Sequence, residues 1–189
     1  MILPELLILR HGETEWNLEG RMQAALDSPL TKLGRSQAMR QNQLLRAHGV
    51  SDWAWFSSPQ GRAQSTAGIA ADGLTRDIAT DTRLREIGMG DWTGLLRADI
   101  ADQFPHLFET DGLSWYDHAP GGEGLIAVHT RCMDFLMQLS QPAVIVTHGI
   151  TSRVLRCIAL GLPVDAFDRL GGGQGVVYHL ANGQSHLLA

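Results

Sequence analysis

Three places in this 189-residue chain set an arginine or a histidine just behind an apolar run. Leu6 to Leu9 leads into Arg10 and His11. The aromatic stretch Trp53 to Phe56 is followed by Ser57, Ser58, Pro59 and then Arg62, and Ala143 to Thr147 ends on His148 and Gly149. Guanidinium groups bind oxyanions through paired, charge-assisted hydrogen bonds, and an imidazole adds a donor, a base or a nucleophile. Two arginines and two histidines brought together suit a phosphoryl group and its transfer. Taken singly, each has an ordinary alternative: a solvated strand end for Arg10 and His11, a surface ion pair for Arg62, a core histidine bonded to a carbonyl for His148. Their shared position, at strand-to-helix junctions, favours a common site. Helix N-termini behind Pro59 and after His148 would add backbone donors to it.

Such convergence requires one sheet. Residues 5–10 read as a buried strand, and 32–47 as a helix between a Thr31 cap and Gly49. Residues 53–58 have strand character, with Ser58 capping and Pro59 opening a second helix. A short strand is expected near 77–81, a helix over 95–104 stopped by Pro105, and an irregular excursion over 105–122. A helix over 123–139 places Leu125, Val128, Cys132, Phe135 and Leu139 on one stripe. Residues 143–147, β-branched and apolar, carry the strongest strand signal. A helix over 150–160 closes on Gly161, and Asn182-Gly183 marks a terminal hairpin. The alternation predicts an α/β fold: a three-layer α/β/α sandwich around a mostly parallel central sheet, as one domain over 1–189. Ligands of such sheets bind outside the carboxyl ends of the strands, where all three segments deliver their polar residues.

Fifteen basic residues against twenty acidic ones give a net charge of -5, which argues against nucleic acid as a partner. No apolar run is long enough to span a bilayer, so no membrane partner is expected. The N-terminus carries Glu5 and no basic lead-in, and reads as a strand rather than a signal peptide. Cys132 and Cys157 lie among apolar residues and read as buried thiols of a reducing, cytoplasmic compartment. His106, His118, His129, His179 and His186 lack metal-ligand spacing, so neither metal nor other cofactor is expected. Trp92, Trp115 and Tyr116 fit either a leaving-group pocket or packing over the sheet. The patterning leaves the oligomeric state open.

The segment LRHGETEWN, residues 9–17, resembles the opening motif of the histidine phosphatase superfamily, the phosphoglycerate mutase-like family. DSPLTKLGRSQA (27–38), SSPQGRAQSTA (57–67), LREIGMGDWTG (84–94), PGGEG (120–124) and VTHGITSR (146–153) are similar to its later motifs, in the family's order. Together they cover nearly the whole chain. The resemblance implies a phosphoglycerate mutase-like fold with His11 as the nucleophile that takes the phosphoryl group. It makes Arg10, Arg62 and His148 the groups that hold the phosphoryl oxygens, with Thr14, Asn17, Gln23 and the Gly149 backbone as further phosphate contacts. Glu86 becomes the proton donor to the leaving oxygen and then the base that activates water. His11 must then be neutral and Glu86 protonated, which predicts a bell-shaped pH profile with an acidic to neutral optimum. Gly12 is read as giving the backbone room to turn.

Ala24 and Ile150 stand where glycine is common in the family, and Gly124 where serine is. These departures bear on the substrate rather than on the chemistry. The function implied is hydrolysis of a small phosphorylated metabolite through a phosphohistidine. A phosphoglycerate mutase and a non-catalytic phospho-ligand binding module are the alternatives. The compact chain favours hydrolysis over the mutase, and the presence of His11, Glu86, Arg10, Arg62 and His148 weighs against the binding module.

Overall fold

A computed structural model describes residues 3–109 and 112–189 of the chain. Six strands form one sheet: β1 (Leu6–Arg10), β2 (Ala54–Ser57), β3 (Ala79–Thr80), β4 (Ala143–Thr147), β5 (Val177–Ala181) and β6 (Gln184–Leu188), in the order β3-β2-β4-β1-β5-β6. The pairs β1–β4, β4–β2 and β2–β3 are parallel, and β5 and β6 add an antiparallel edge. The helices are α1 (Glu15–Glu19), α2 (Lys32–His48), α3 (Gly61–Ala70), α4 (Arg97–Gln103), α5 (Leu125–Leu136) and α6 (Gly149–Leu160).

Successive strand side chains point to opposite faces, and β1 and β4 are apolar on both. Leu7, Leu9, Val144 and Val146 pack on one face with Leu45 of α2 and Ala63 and Ala67 of α3. Leu6, Ile8, Ala143 and Ile145 pack on the other with Val128, Cys132 and Phe135 of α5 and Val154 of α6. This is the three-layer arrangement, with β4 wholly buried at its centre. Truncating a core side chain such as Ile8 to alanine costs about 2–5 kcal/mol in such a setting.

Helix α2 runs as expected from Thr31, whose Oγ1 accepts from the Gly34 N–H at 3.0 Å, to Gly49 at φ 84°. Asn182 and Gly183, at φ 53° and 71°, make the tight turn of the terminal hairpin. Helix α3 differs from expectation. It begins at Gly61, two residues beyond Pro59, because the Asp27 carboxylate from a distant loop caps it, accepting from Gly61 N at 2.6 Å and Arg62 N at 3.2 Å. Helix α4 starts at Arg97 and not at 95, since the Leu95 carbonyl accepts from Met22 N and Leu96 is extended. Helix α5 is shorter than 123–139; Gly124 at φ 75° precedes it and Asp117 accepts its first N–H at 2.6 Å. The excursion over 105–122 contains two 3-10 turns, Pro105–Phe108 and Ser114–His118, while its residues 110 and 111 lie outside the described part. Helix α1 has no counterpart in the periodicity reading. A reciprocal cap, Thr14 Oγ1 with Asn17 N and Asn17 Oδ1 with Thr14 N, both 3.2 Å, nucleates it.

Candidate active site

Because β2, β4 and β1 are neighbours, their carboxyl ends lie side by side. Arg10 pairs with Thr147, the His11 N–H donates to the Thr147 carbonyl at 2.9 Å, and the Ser58 N–H donates to Val146 at 3.0 Å. The three segments singled out by residue type therefore meet at one sheet edge.

His11 is 2% exposed. Its Nδ1 lies 2.8 Å from the Gly12 carbonyl, which can only accept, so Nδ1 carries the proton and Nε2 presents its lone pair. The Nε–H of Arg62 donates to that Nε2 at 3.3 Å. Burial, then Arg10 and Arg62, hold the imidazole well below its ordinary range, and the Gly12 carbonyl opposes them only in part. The ring is thus neutral, as a nucleophile requires. Gly12 is not in the left-handed region, contrary to the idea that it eases a turn. It is needed for close approach: a Cβ there would strike the Gly34 carbonyl, and one on Gly34 would strike that of Glu13. The two glycines let the start of α2 press against the loop that carries His11.

Arg62 is also 2% exposed, and burial lowers its pKa against the opposing pull of Asp27 and Glu86. Its Nη1 donates to the Leu26 carbonyl and to Asp27 Oδ1, both at 2.8 Å, and Nη2 to the Ala24 carbonyl at 3.0 Å. With Nε on His11, four of its five N–H groups have partners among the described residues, which leaves one for a ligand. Ala24 supplies its carbonyl from φ 44°, a conformation that costs a non-glycine residue about 1–2 kcal/mol.

His148 is fully buried, with Nε2 2.7 Å from Ser58 Oγ and its ring centroid 5.2 Å from that of His11. Burial first, then Arg62, His11 and Arg10, depress its pKa. Its Nδ1 and the Nε of Arg10 are buried without a partner among the described residues. Buried polar atoms are nearly always paired, so two such atoms at one site point to a ligand that pairs them.

Glu86 accepts from three backbone N–H groups: Ile87 at 3.1 Å and Thr151 at 3.1 Å on Oε1, and Ile150 at 3.2 Å on Oε2. This qualifies the expectation about the helix N-termini. Ile150 and Thr151 of α6 donate to Glu86 and Gly61 and Arg62 of α3 to Asp27, so each helix dipole holds a protein carboxylate at the site, and the Gly149 N–H is not among those donors.

Arg10, His11, Asn17, Gln23, Arg62 and Glu86 line one small polar cavity, with Arg21, Met22, Ala24, Met89 and Tyr116 completing it. Thr14 does not reach that lining. It is buried behind it, where its Oγ1 accepts from Gln23 Nε2 at 2.8 Å and from Asn17 N, and so props two residues that do line the cavity. Gly149 lies beneath Arg10 and Glu86; a Cβ there would come within 3.5 Å of one and 3.6 Å of the other. Trp92 and Trp115 belong to the core, whereas Tyr116 faces the cavity, its phenol pushed up to about 12 by burial and by Glu86. Residue-type reasoning missed Asp27, Ser58 and Thr66. The last accepts from the Gly12 N–H at 3.0 Å. All three act through partners between 34 and 90 residues away, and no local spacing announces them. A larger cavity of about 350 Å³ opens at the far end of the sheet beside Leu3, Pro4, Ala159 and the hairpin turn, and has no titratable side chain among its described lining residues.

A parallel-sheet α/β fold whose strand ends gather two arginines, two neutral histidines and a carboxylate defines a phosphoryl-handling class of protein. Residues 6–186 match the histidine phosphatase superfamily (branch 1), and the chain belongs to that family. It is 36% identical over 186 residues to a glucosyl-3-phosphoglycerate phosphatase of Mycolicibacterium vanbaalenii, covering 91% of this chain and 81% of the relative. It is also 36% identical over 183 residues to a probable phosphoglycerate mutase of Salmonella paratyphi B, covering 88% and 79%. The solved structure of a mycobacterial glucosyl-3-phosphoglycerate phosphatase in complex with VO3 superposes with a TM-score of 0.80 at 31% identity, over 97% of this chain and 96% of that one.

Proposed function

We propose that the chain is a phosphomonoester hydrolase that acts on a small phosphorylated metabolite through a phosphohistidine. The observation that carries this reading is the fixed tautomer of His11, whose Nε2 lone pair is held beside Arg62 in the cavity that Glu86 also lines. In the first step Nε2 attacks phosphorus, the bond to the leaving oxygen breaks, and the proton on Glu86 passes to that oxygen. In the second, water attacks the phosphoryl group, Glu86 takes the water proton, and the N–P bond breaks to release phosphate. Arg10, the free N–H of Arg62 and the unpaired Nδ1 of His148 hold the equatorial oxygens. Asn17, Gln23 and the Gly149 backbone support the same group, and Thr14 acts through them. The backbone N–H groups of Ile87, Ile150 and Thr151 hold the Glu86 carboxyl in position for both proton transfers.

The relatives support a phosphate ester of a small polar metabolite, phosphoglycerate derivatives among them, as substrate. We read residues 1–189 as one catalytic domain built on the single sheet. Two buried free thiols, Cys132 and Cys157, support a cytoplasmic setting. Rapid quenching with a labelled phosphomonoester tests the mechanism: label should appear on the protein as an acid-labile, alkali-stable adduct that is lost in His11→Ala. Hydrolysis by His11→Ala at the wild-type rate would overturn it. Added acceptor alcohol should leave phosphate release dominant; quantitative transfer to the alcohol would make the chain a mutase.

A further inference from the structure

At the end of the sheet opposite the cavity, three residues far apart in sequence come together. Glu5 precedes β1, His48 ends α2, and His179 lies in β5. The antiparallel register pairs Leu7 with His179, and strand alternation puts Glu5, Leu7 and His179 on the face that α2 covers. The result is a carboxylate between two imidazoles. Glu5 Oε1 is 3.3 Å from His48 Nε2 and 2.5 Å from His179 Nε2, and the two rings pack at 4.6 Å between centroids. All three ligand atoms lie within 4.8 Å of one another.

We propose that Glu5, His48 and His179 bind a divalent transition-metal cation, with Zn²⁺ as the reference ion. Ligands about 2.0–2.1 Å from a tetrahedral ion are separated by about 3.3 Å, close to the Glu5–His48 distance, and small side-chain rotations open the Glu5–His179 contact to the same span. The groups are partly buried, at 37%, 22% and 18% side-chain exposure, so an ion can enter from solvent. His186 pairs with His179 across β5 and β6, with ring centroids 6.3 Å apart, and can supply a fourth ligand. Two imidazoles and one carboxylate select Zn²⁺, Co²⁺ or Ni²⁺ over Mg²⁺, which prefers oxygen ligands. Linear spacing hides the site because its ligands come from three elements. Arg10 lies five residue steps beyond Glu5, about 17 Å along the strand, so the ion does not enter the phosphoryl site. It ties the terminal hairpin and the end of α2 to the start of β1, and it stabilises the fold to the extent that it binds the folded chain alone.

The test is competition of the full chain with a chromophoric chelator for Zn²⁺ and Co²⁺, alongside thermal melts. One ion per chain is expected at micromolar or tighter affinity, weakened at least about tenfold in His48→Gln and in His179→Gln and unchanged in His11→Ala, which probes the active-site imidazoles. Zn²⁺ should raise the melting temperature and Mg²⁺ should not. If His179→Gln fails to fold by circular dichroism, Glu5→Gln and His48→Gln carry the comparison. Undiminished affinity in those variants, loss of binding in His11→Ala, or no Zn²⁺ binding below millimolar concentration would each overturn the proposal and leave the cluster as a hydrogen-bonded ion pair.

Discussion

The floor of the active-site cavity is made by neighbouring strand ends, whereas its roof, the described residues between 84 and 124, is made by 3-10 turns, the short helix α4 and stacked aromatic rings. On the floor, His11, Arg62 and His148 are at most 2% exposed and each is fixed by hydrogen bonds to segments distant in sequence. In the roof, Trp92, Phe104, Phe108, Trp115 and Tyr116 hold one another, with the rings of Trp115 and Tyr116 4.0 Å apart, and among its described residues only Glu86, Met89 and Tyr116 reach the cavity. Directional bonds set positions to tenths of an ångström, while aromatic packing fixes a surface and tolerates changes of side chain. Under the proposed function, the floor suits the phosphoryl group every substrate shares, and the roof the part that differs. Glu86 is the junction: it belongs to the roof segment in sequence but is tied to the floor through the first N–H groups of α6.

Four outcomes would sharpen or break this contrast. The largest is expected for His11→Ala, with turnover of an aryl phosphate falling about 10⁴-fold or more while circular dichroism stays native. Next comes Arg62→Ala, about 10²- to 10³-fold in kcat by loss of a preorganised donor, with lowered stability because Asp27 and the Leu26 and Ala24 carbonyls lose their partner. Asp27→Ala separates those effects: it removes the α3 cap, costing about 1 kcal/mol in a urea melt, and loosens Arg62 without deleting it. Smaller again, Tyr116→Phe should change the ratio of kcat/KM between two phosphate esters a few-fold, about 1 kcal/mol, and leave the rate of phosphohistidine formation from a given aryl phosphate nearly unaltered. If Tyr116→Phe reduces all substrates equally, the division between floor and roof fails.

The smallest effect concerns pH. Burial holds His11 and His148 below the ordinary imidazole value of 6.5, so on acidification the unfolded chain takes up protons before the folded one does. Their contribution to stability is whole above about pH 6.5 and is lost as the pH falls toward the lowered folded values. Melting temperatures measured from pH 8 to 5 should decline below that point, less steeply in the double variant His11→Gln, His148→Gln. An identical slope in both would show that these imidazoles are not what titrates.

Floor and roof also differ in how far the sequence reveals them. Ala143–Thr147, Leu6–Arg10, the Thr31 and Gly49 helix ends and the Asn182-Gly183 turn are encoded within a few residues, and each appears where its pattern puts it. The convergence of Arg10, His11, Arg62 and His148 follows once the three strands are neighbours. What the sequence hides depends on partners far along the chain: the Asp27 carboxylate that starts α3, the Glu86 oxygens on the N–H groups of α6, and the cluster of Glu5, His48 and His179. The 3-10 turns Pro105–Phe108 and Ser114–His118 of the roof are equally illegible, because ring stacking rather than backbone periodicity shapes them. Thr14 and Asn17 show both sides at once, since their types are right for an oxyanion loop yet their first use is to cap α1.

The strand order has a consequence for how the chain is made. β1 is synthesised well before its partners in the sheet, β4 and β5, which begin at residues 143 and 177. At translation rates of about 5–20 residues per second, the apolar run Leu6 to Leu9 waits on the order of ten seconds for a neighbour. The last backbone tie of the His11 loop forms when Thr147 arrives to accept its N–H. The residue nearest the start of the chain's chemistry is thus among the last to be set in place, and a ribosome stalled before residue 147 holds a nascent chain with an exposed apolar strand and no assembled site.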